Sequence, residues 1–238
     1  MGSKRRVSKY ILPIILPYRK PNQYWVEPFV GGGNMIDKVS NPRIGADINP
    51  YVIQALTSIR DYINEIPKNN TEFTKEDYQK LKLSDDYKHK GYIGHIAAFG
   101  GIWLHTWAFD ILHSDYIAKG YRNAVKQSPK LQGVELYNCS YDELVIPPNS
   151  LIYCDLPYKG STEYRHEFDH DKFWEWCRVM SNSGHTVFVS ESSAPDDFQC
   201  LWSREHSTPL DKYNVKTYTE ALFALNGHVD IDCCLYGL

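Results

Sequence analysis

One stretch near the start constrains this chain more than any other. Tyr24-Trp25-Val26-Glu27 reads as a short strand and runs at once into Pro28-Phe29-Val30-Gly31-Gly32-Gly33. Asn34 to Val39 has the look of a short helix. Arg43-Ile44-Gly45-Ala46-Asp47 is a second strand, ended by Asn49-Pro50. A strand, a glycine-rich turn, a helix and a strand in this order open a nucleotide-binding α/β fold. Glycines at that turn let a ligand approach the backbone, because no β-carbon stands in the way. Asp47 ends the following strand, 16 residues after Gly31, where a carboxylate can accept hydrogen bonds from ribose hydroxyls. Taken singly, the glycines could be only a turn and Asp47 only a helix cap. Together they point to an adenosine-containing cofactor. Phosphate binders space their glycines as GxGxxG or GxxxxGK, and neither occurs here, so a cofactor without phosphate, S-adenosylmethionine above all, is favoured over NAD-type ligands.

The rest of the chain completes that pattern. Residues 4–16 read as a helix with Ser3 as its cap, and residues 51–64 carry a helical pattern. From 66 to 132 the α/β rhythm lapses into polar and aromatic sequence, with small residues between Gly91 and Gly101. Alternation then resumes. Val134–Asn138 and Leu151–Cys154 read as strands, Asp171–Ser181 as a helix opened by Asp169, and His185–Ser190 as a buried strand. Segments 200–205 and 220–225 suit a terminal hairpin. The expected architecture is a doubly wound, mostly parallel, seven-stranded sheet of Rossmann-like type, built from residues 1–54 and 134–238. Residues 55–133 would form an inserted subdomain.

Chemistry concentrates in Leu151-Ile152-Tyr153-Cys154-Asp155-Leu156-Pro157-Tyr158. An apolar strand ends in an acid, a rigid turn and a ring, at the same edge as the glycine turn. Asp155 can accept one hydrogen of an exocyclic amine. The Leu156 carbonyl, held extended because Pro157 follows, can accept the other. Tyr158 can stack on a base. Two such acceptors draw the amine nitrogen toward tetrahedral geometry and aim its lone pair at an incoming methyl group.

With these residues in view, the chain resembles the Dam-type DNA adenine methyltransferases, and most of all their phage-encoded relatives. EPFVGGG at 27–33 is similar to the family's cofactor motif, ADIN at 46–49 to its ribose-binding segment, DLPY at 155–158 to its catalytic DPPY, and MGSKRR at 1–6 to its lysine-bearing N-terminal motif. The resemblance covers nearly the whole chain, most loosely over 55–95. It implies an S-adenosylmethionine-dependent enzyme that methylates N6 of adenine in double-stranded DNA, flips the base and releases S-adenosylhomocysteine. It also implies cofactor contacts from Lys4, Pro28, Phe29, Gly31, Gly33, Asp47 and Asp155, catalysis by Asp155, Leu156, Pro157 and Tyr158, no metal, and target recognition by the insert. Leu156 stands where the family normally has proline, a position that contributes a backbone carbonyl. Two alternatives stay open. Cytosine-N4 methylation uses the same type of turn, usually with serine in place of the acid, so Asp155 favours adenine. A DNA-binding relative impaired through Leu156 is the other. A biological role, such as partner of a restriction enzyme, is not legible.

Composition fits this reading. Net charge is −3, but residues 1–20 hold Lys4, Arg5, Arg6, Lys9, Arg19 and Lys20 without an acid, and 116–132 hold Lys119, Arg122, Lys126 and Lys130 without one. Arg5, Arg6, Lys119, Arg122 and Lys126 are therefore the candidates for DNA phosphates, the alternative being solvated charge. No apolar run approaches the roughly 18 residues that span a membrane, and the six cysteines lack metal-type spacing and suit buried thiols in a reducing bacterial or phage-infected cytoplasm. His166, Asp169, His170 and Asp171 match no closed zinc site, and Asp169 suits a helix cap better. Trp103 and Trp107, at helical spacing, are expected in the core of the insert. A monomer is expected.

Overall fold

The fold is taken from a computed structural model, which describes residues 4–108, 114–156, 168–209 and 215–229, with the side chains of 206–209 and 215–218 left aside. Seven strands form one sheet in the order β3-β2-β1-β4-β5-β7-β6. They are β1 (Trp25–Glu27), β2 (Arg43–Ala46), β3 (Val134–Tyr137), β4 (Leu151–Asp155), β5 (Thr186–Glu191), β6 (Phe198–Pro209) and β7 (Val215–Leu225). The first five are mutually parallel, while β7 runs antiparallel to both β5 and β6. The expected seven-stranded, mostly parallel sheet and terminal hairpin are thus present.

The central strands are apolar on both faces, as parallel strands must be when helices cover both sides. Alternation along each strand then divides the core in two. Trp25, Leu151, Tyr153, Phe188, Leu222 and Ala224 pack on one face with α1 (Ser8–Ile15), α2 (Pro50–Asp61) and α5 (Tyr116–Leu131). Val26, Ile152, Cys154, Val187, Val189 and Phe223 pack on the other, with α6 (His170–Asn182). Four helices open on side-chain caps. Asn49 accepts from Tyr51 N–H ahead of Pro50, Asp115 from Ala118 N–H, and Asp169 from Lys172 N–H. Thr74 and Asp77 form a capping box at α3 (Lys75–Leu83).

Three expectations are modified. The helix expected over 4–16 is a 3-10 turn at Lys4–Arg6, then α1, then a second 3-10 turn at Leu16–Tyr18. Its N-cap position is Val7, and Ser3 lies outside the described residues. The helix expected over 34–39 is one 3-10 turn, Ile36–Lys38. There the chain goes from the glycine turn to β2 in a few residues, too few for a longer helix. Finally, Cys154 and Cys177 are buried, but Cys139 is half-buried and Cys200 exposed.

The division expected at 54/55 falls inside α2, and the basic stretch at 116–132 is mostly α5. Both helices pack on the sheet face through Leu56, Ile59, Ile117, Ala124 and Leu131. Between them lie α3, α4 (Lys90–Ile96) and a turn closed by the Ala98–Trp107 bridge. Trp107 packs on Phe73 and Tyr78 there, and Trp103 lies tilted against Tyr51 and His95 at 4.4 and 4.8 Å. Among the described residues no helix is long and apolar enough to cross a membrane.

Candidate active site

Strand order reverses between β1 and β4, and in doubly wound sheets ligands settle at the carboxyl ends of the strands flanking that point. The glycine turn follows β1, and Asp155 closes β4. Two motifs more than 120 residues apart in sequence are therefore neighbours.

On the β1 side the chain leaves the sheet through buried Pro28 and half-buried Phe29, whose ring packs against Tyr141, Phe168 and Phe173 at 5.4 to 5.9 Å. Gly31 and Gly33 both have positive φ, +47° and +66°, a region costly for residues with a β-carbon. A β-carbon on Gly31 would meet nothing within 4 Å among the described residues, which leave that side of the turn open. One on Gly33 would lie 3.1 Å from Leu56 Cδ2. From behind, the Gln127 amide of α5 donates to the Gly32 carbonyl at 2.9 Å. Asp47, just past β2, is buried. Its carboxylate accepts from Gly31 N–H at 3.2 Å and from Asn49 N–H at 2.9 Å, and burial pushes its pKa up despite these donors. Beside it Ile48 is 61% exposed, an apolar side chain in water at the mouth of the turn. An open glycine turn, a fixed carboxylate and an exposed apolar side chain suit a nucleoside with free hydroxyls. Under the turn, Trp25 Nε1–H donates to buried Glu27 at 2.7 Å, and burial holds the Glu27 carboxyl well above its usual range.

On the β4 side, Asp155 shares a sheet face with Tyr153 by strand alternation. Lys4 reaches it from the N-terminal 3-10 turn. The ammonium is 5% exposed and lies 3.0 Å from Asp155 Oδ1 and 2.5 Å from Glu220 Oε1. Burial raises the Asp155 pKa to about 6, against the opposing pull of Lys4. Leu156 is buried in the second core cluster with Val26, Phe173 and Val189. The sequence-derived residues Lys4, Pro28, Phe29, Gly31, Gly33, Asp47, Asp155 and Leu156 thus gather around one sheet edge, while Pro157 and Tyr158 lie outside the described residues. Arg5 and Arg6 are exposed beside Lys4, and Lys119, Arg122 and Lys126 line the exposed side of α5. Sequence reasoning missed Ile48 and Glu220. The first was legible as an apolar residue directly after the acid. The second carried no motif.

The doubly wound sheet is of the Rossmann-like type, and this pair of motifs lies at the switch point where such sheets hold their ligands. More particularly, residues 1–98 match the family model described as D12 class N6 adenine-specific DNA methyltransferase. The matched part of the chain holds Lys4, the glycine turn and Asp47. No curated protein matches the chain in sequence. Similar solved structures include a tRNA (m1A58) methyltransferase from Aquifex aeolicus, at 8% identity over 94% of this chain and 70% of that one, TM-score 0.41. A putative methylase from Haemophilus influenzae is similar at 11% identity over 94% of this chain and 99% of that one, TM-score 0.38. An rRNA methylase from Streptococcus thermophilus is similar at 10% identity, over 94% and 98% respectively, also with TM-score 0.38.

Proposed function

We propose that this protein methylates N6 of adenine in double-stranded DNA, taking the base out of the stack into the space above β4. The observation that carries the reading is the meeting of two half-sites at the switch point: the glycine turn with Asp47 on one side, Asp155 and Leu156 on the other.

S-adenosylmethionine, when bound, supplies an electrophilic methyl group on a sulfonium. The chain's own residues position and polarise. The Asp47 carboxylate, already aimed by two backbone N–H groups, accepts from the ribose hydroxyls. Ile48, Pro28, Phe29, Gly31 and Gly33 would line the place of the cofactor, Ile48 as an apolar surface for its ring and the glycines as open backbone. Asp155 and the Leu156 carbonyl accept the two hydrogens of the target amine, and Tyr158, after Pro157, stacks on the base. This turns the nitrogen lone pair toward the methyl carbon and stabilises the positive charge that develops there. Methyl transfer would form the C–N bond as the C–S bond breaks, and the Asp155 carboxylate beside the amine would take the proton that the nitrogen then sheds and pass it to solvent. Lys4 balances the charge of Asp155. Target recognition belongs to the part of 55–133 between α2 and α5. Arg5 and Arg6 with Lys119, Arg122 and Lys126 hold duplex phosphates, and the enzyme acts as a monomer.

The test is incubation with methyl-labelled S-adenosylmethionine and mixed-sequence duplex, followed by digestion to nucleosides. Label in N6-methyladenosine is expected. Label in N4-methylcytidine would overturn the choice of base, and no label with intact cofactor and DNA binding would indicate an impaired relative.

A further inference from the structure

Glu220 has no part in the roles set out above, yet it shares the ammonium that faces Asp155. Strand register explains how. Asp155 pairs with Ser190 of β5, and Ser190 with Leu222 of β7. Glu220 is two residues from Leu222 and so projects from the same face. Lys4 spans β5 above Ser190, with Nζ 3.0 Å from Asp155 and 2.5 Å from Glu220. Lys4 and Glu220 are 5% and 3% exposed, so water does little to screen either.

Among the described residues the other ionisable groups around Asp155 are Glu191 at the end of β5, Glu27 at the end of β1 and Tyr153 on β4, whose hydroxyl is 2.8 Å from Ser190 Oγ. Lys4 is the cation among them. An ammonium committed to Asp155 alone would occupy a carboxylate oxygen and lower the group's basicity, which makes it a poorer acceptor. A second carboxylate at shorter range draws the ammonium the other way.

We propose that Glu220 is a positioning residue, which holds Lys4 in a shared geometry so that Asp155 keeps the basicity and the open oxygen its role as acceptor needs. The inference rests on the proposed role of Asp155 toward the amine, and it goes beyond that role by assigning control of the acceptor to a residue on another strand. The repulsion of Glu220 and Glu191 acts on Asp155 in the same upward direction.

The experiment reads Asp155 directly. The full chain, carrying ¹³C-carboxyl aspartate and free of ligand, is titrated by NMR, with the Asp155 signal assigned from Asp155→Asn. The wild-type midpoint is expected at about 6. In Glu220→Gln it should fall by about one pH unit, because a like charge is lost and Lys4 turns wholly to Asp155. Glu220→Asp keeps the charge at a shorter reach, so it should give a smaller fall and also serves if the glutamine variant does not fold. An unchanged midpoint in either folded variant overturns the proposal, since a residue that only stabilised the fold would lower the melting temperature without moving Asp155. Methylation assays on the same proteins separate the two readings. A shifted midpoint in the variants, together with a wild type that methylates no adenine, would overturn the function proposed for Asp155 and support the charge relation to Glu220.

Discussion

Lys4 and Asp155, 151 residues apart in sequence, form an ion pair 3.0 Å long at the carboxyl edge of the sheet, the lysine buried and the acid half-buried. The pair ties the N-terminal turn to the strand that carries the candidate catalytic acid. It also makes Asp155 separable from folding, because Glu220 can hold Lys4 on its own. Asp155→Ala should therefore leave a cooperatively folded protein, checked by circular dichroism and thermal melting, while methylation falls by about 10³-fold or more, on the scale of removing a group that stabilises developing charge. Cofactor affinity should fall less than in Asp47→Ala. Methylation near the wild-type rate would show that another group accepts the amine.

The raised pKa of Asp155 sets a pH dependence. The carboxylate is the form that accepts a hydrogen bond from the amine, so turnover should be low below about 6 and rise through that value as the proton leaves. Stability runs the opposite way. A carboxyl whose folded pKa lies above its ordinary 3.8 binds more protons when folded, so its contribution to stability falls as pH rises between the two values. Glu27, also held up by burial, acts in the same sense. Asp155→Asn should flatten part of the fall in melting temperature between about pH 4 and 6. A rate flat across this window would contradict the role given to the ionised form.

Gly31 and Gly33 should separate binding from folding. Alanine at Gly31 adds a β-carbon that meets none of the described residues within 4 Å, so its expected stability cost is that of the left-handed backbone, about 1 kcal/mol. Its methyl would project into the space assigned to the cofactor, and affinity for S-adenosylmethionine should fall about tenfold or more, equivalent to at least 1.4 kcal/mol. Alanine at Gly33 adds a contact 3.1 Å from Leu56 Cδ2 to the same backbone strain and should lower the melting temperature further. Calorimetric titration and thermal melts of both variants decide the matter. Unchanged cofactor affinity in Gly31→Ala would move the ligand away from the turn.

Leu156 invites the change to proline, the residue normal in the resembling family. Proline would stiffen the turn, but Leu156 is buried against Val26 and Phe173, so the substitution also removes apolar packing. The expected outcome is methylation within a few-fold of wild type with a net loss of about 1–2 kcal/mol in chemical denaturation, a partial loss of a large core side chain. Collapse of activity in a folded variant would mean that the Leu156 N–H is needed.

These sites differ in how legible they were. Strands β1, β2, β4 and β5 could be read because parallel strands covered on both faces are short apolar runs, and the turn residues after β1 and β4 mark where they end. Asp169 announced α6 because a cap is a local device. The segment from 66 to 132 hid its helices, although Thr74 and Asp77 spelled out a capping box and Ile117, Ala124, Ser128 and Leu131 marked one buried side of α5. Charged residues interleaved with the buried positions mask the periodicity there. Lys4 was legible only through a family resemblance, and Glu220 not at all. Its significance depends on register across three strands, which no local pattern encodes.

The α5 cations give the sharpest test of how DNA is held. Lys119, Arg122 and Lys126 follow one another at helical spacing on the exposed side of α5, whose opposite side is buried through Ile117, Ala124 and Leu131. Replacing the three with glutamine removes charge without touching the packed side, so folding and cofactor affinity should hold. If these side chains neutralise duplex phosphates, the logarithm of the binding constant should fall linearly with the logarithm of salt, with a slope near −0.9 per phosphate contact. The triple variant should bind every sequence more weakly and show a slope flatter by about one unit per lost contact. Solvated charges with no role in binding predict the same slope in both proteins. Binding measured at four salt concentrations separates the two outcomes. An unchanged slope would take α5 out of the DNA-binding face and leave Arg5 and Arg6, beside the buried Lys4, as the cations that meet the duplex.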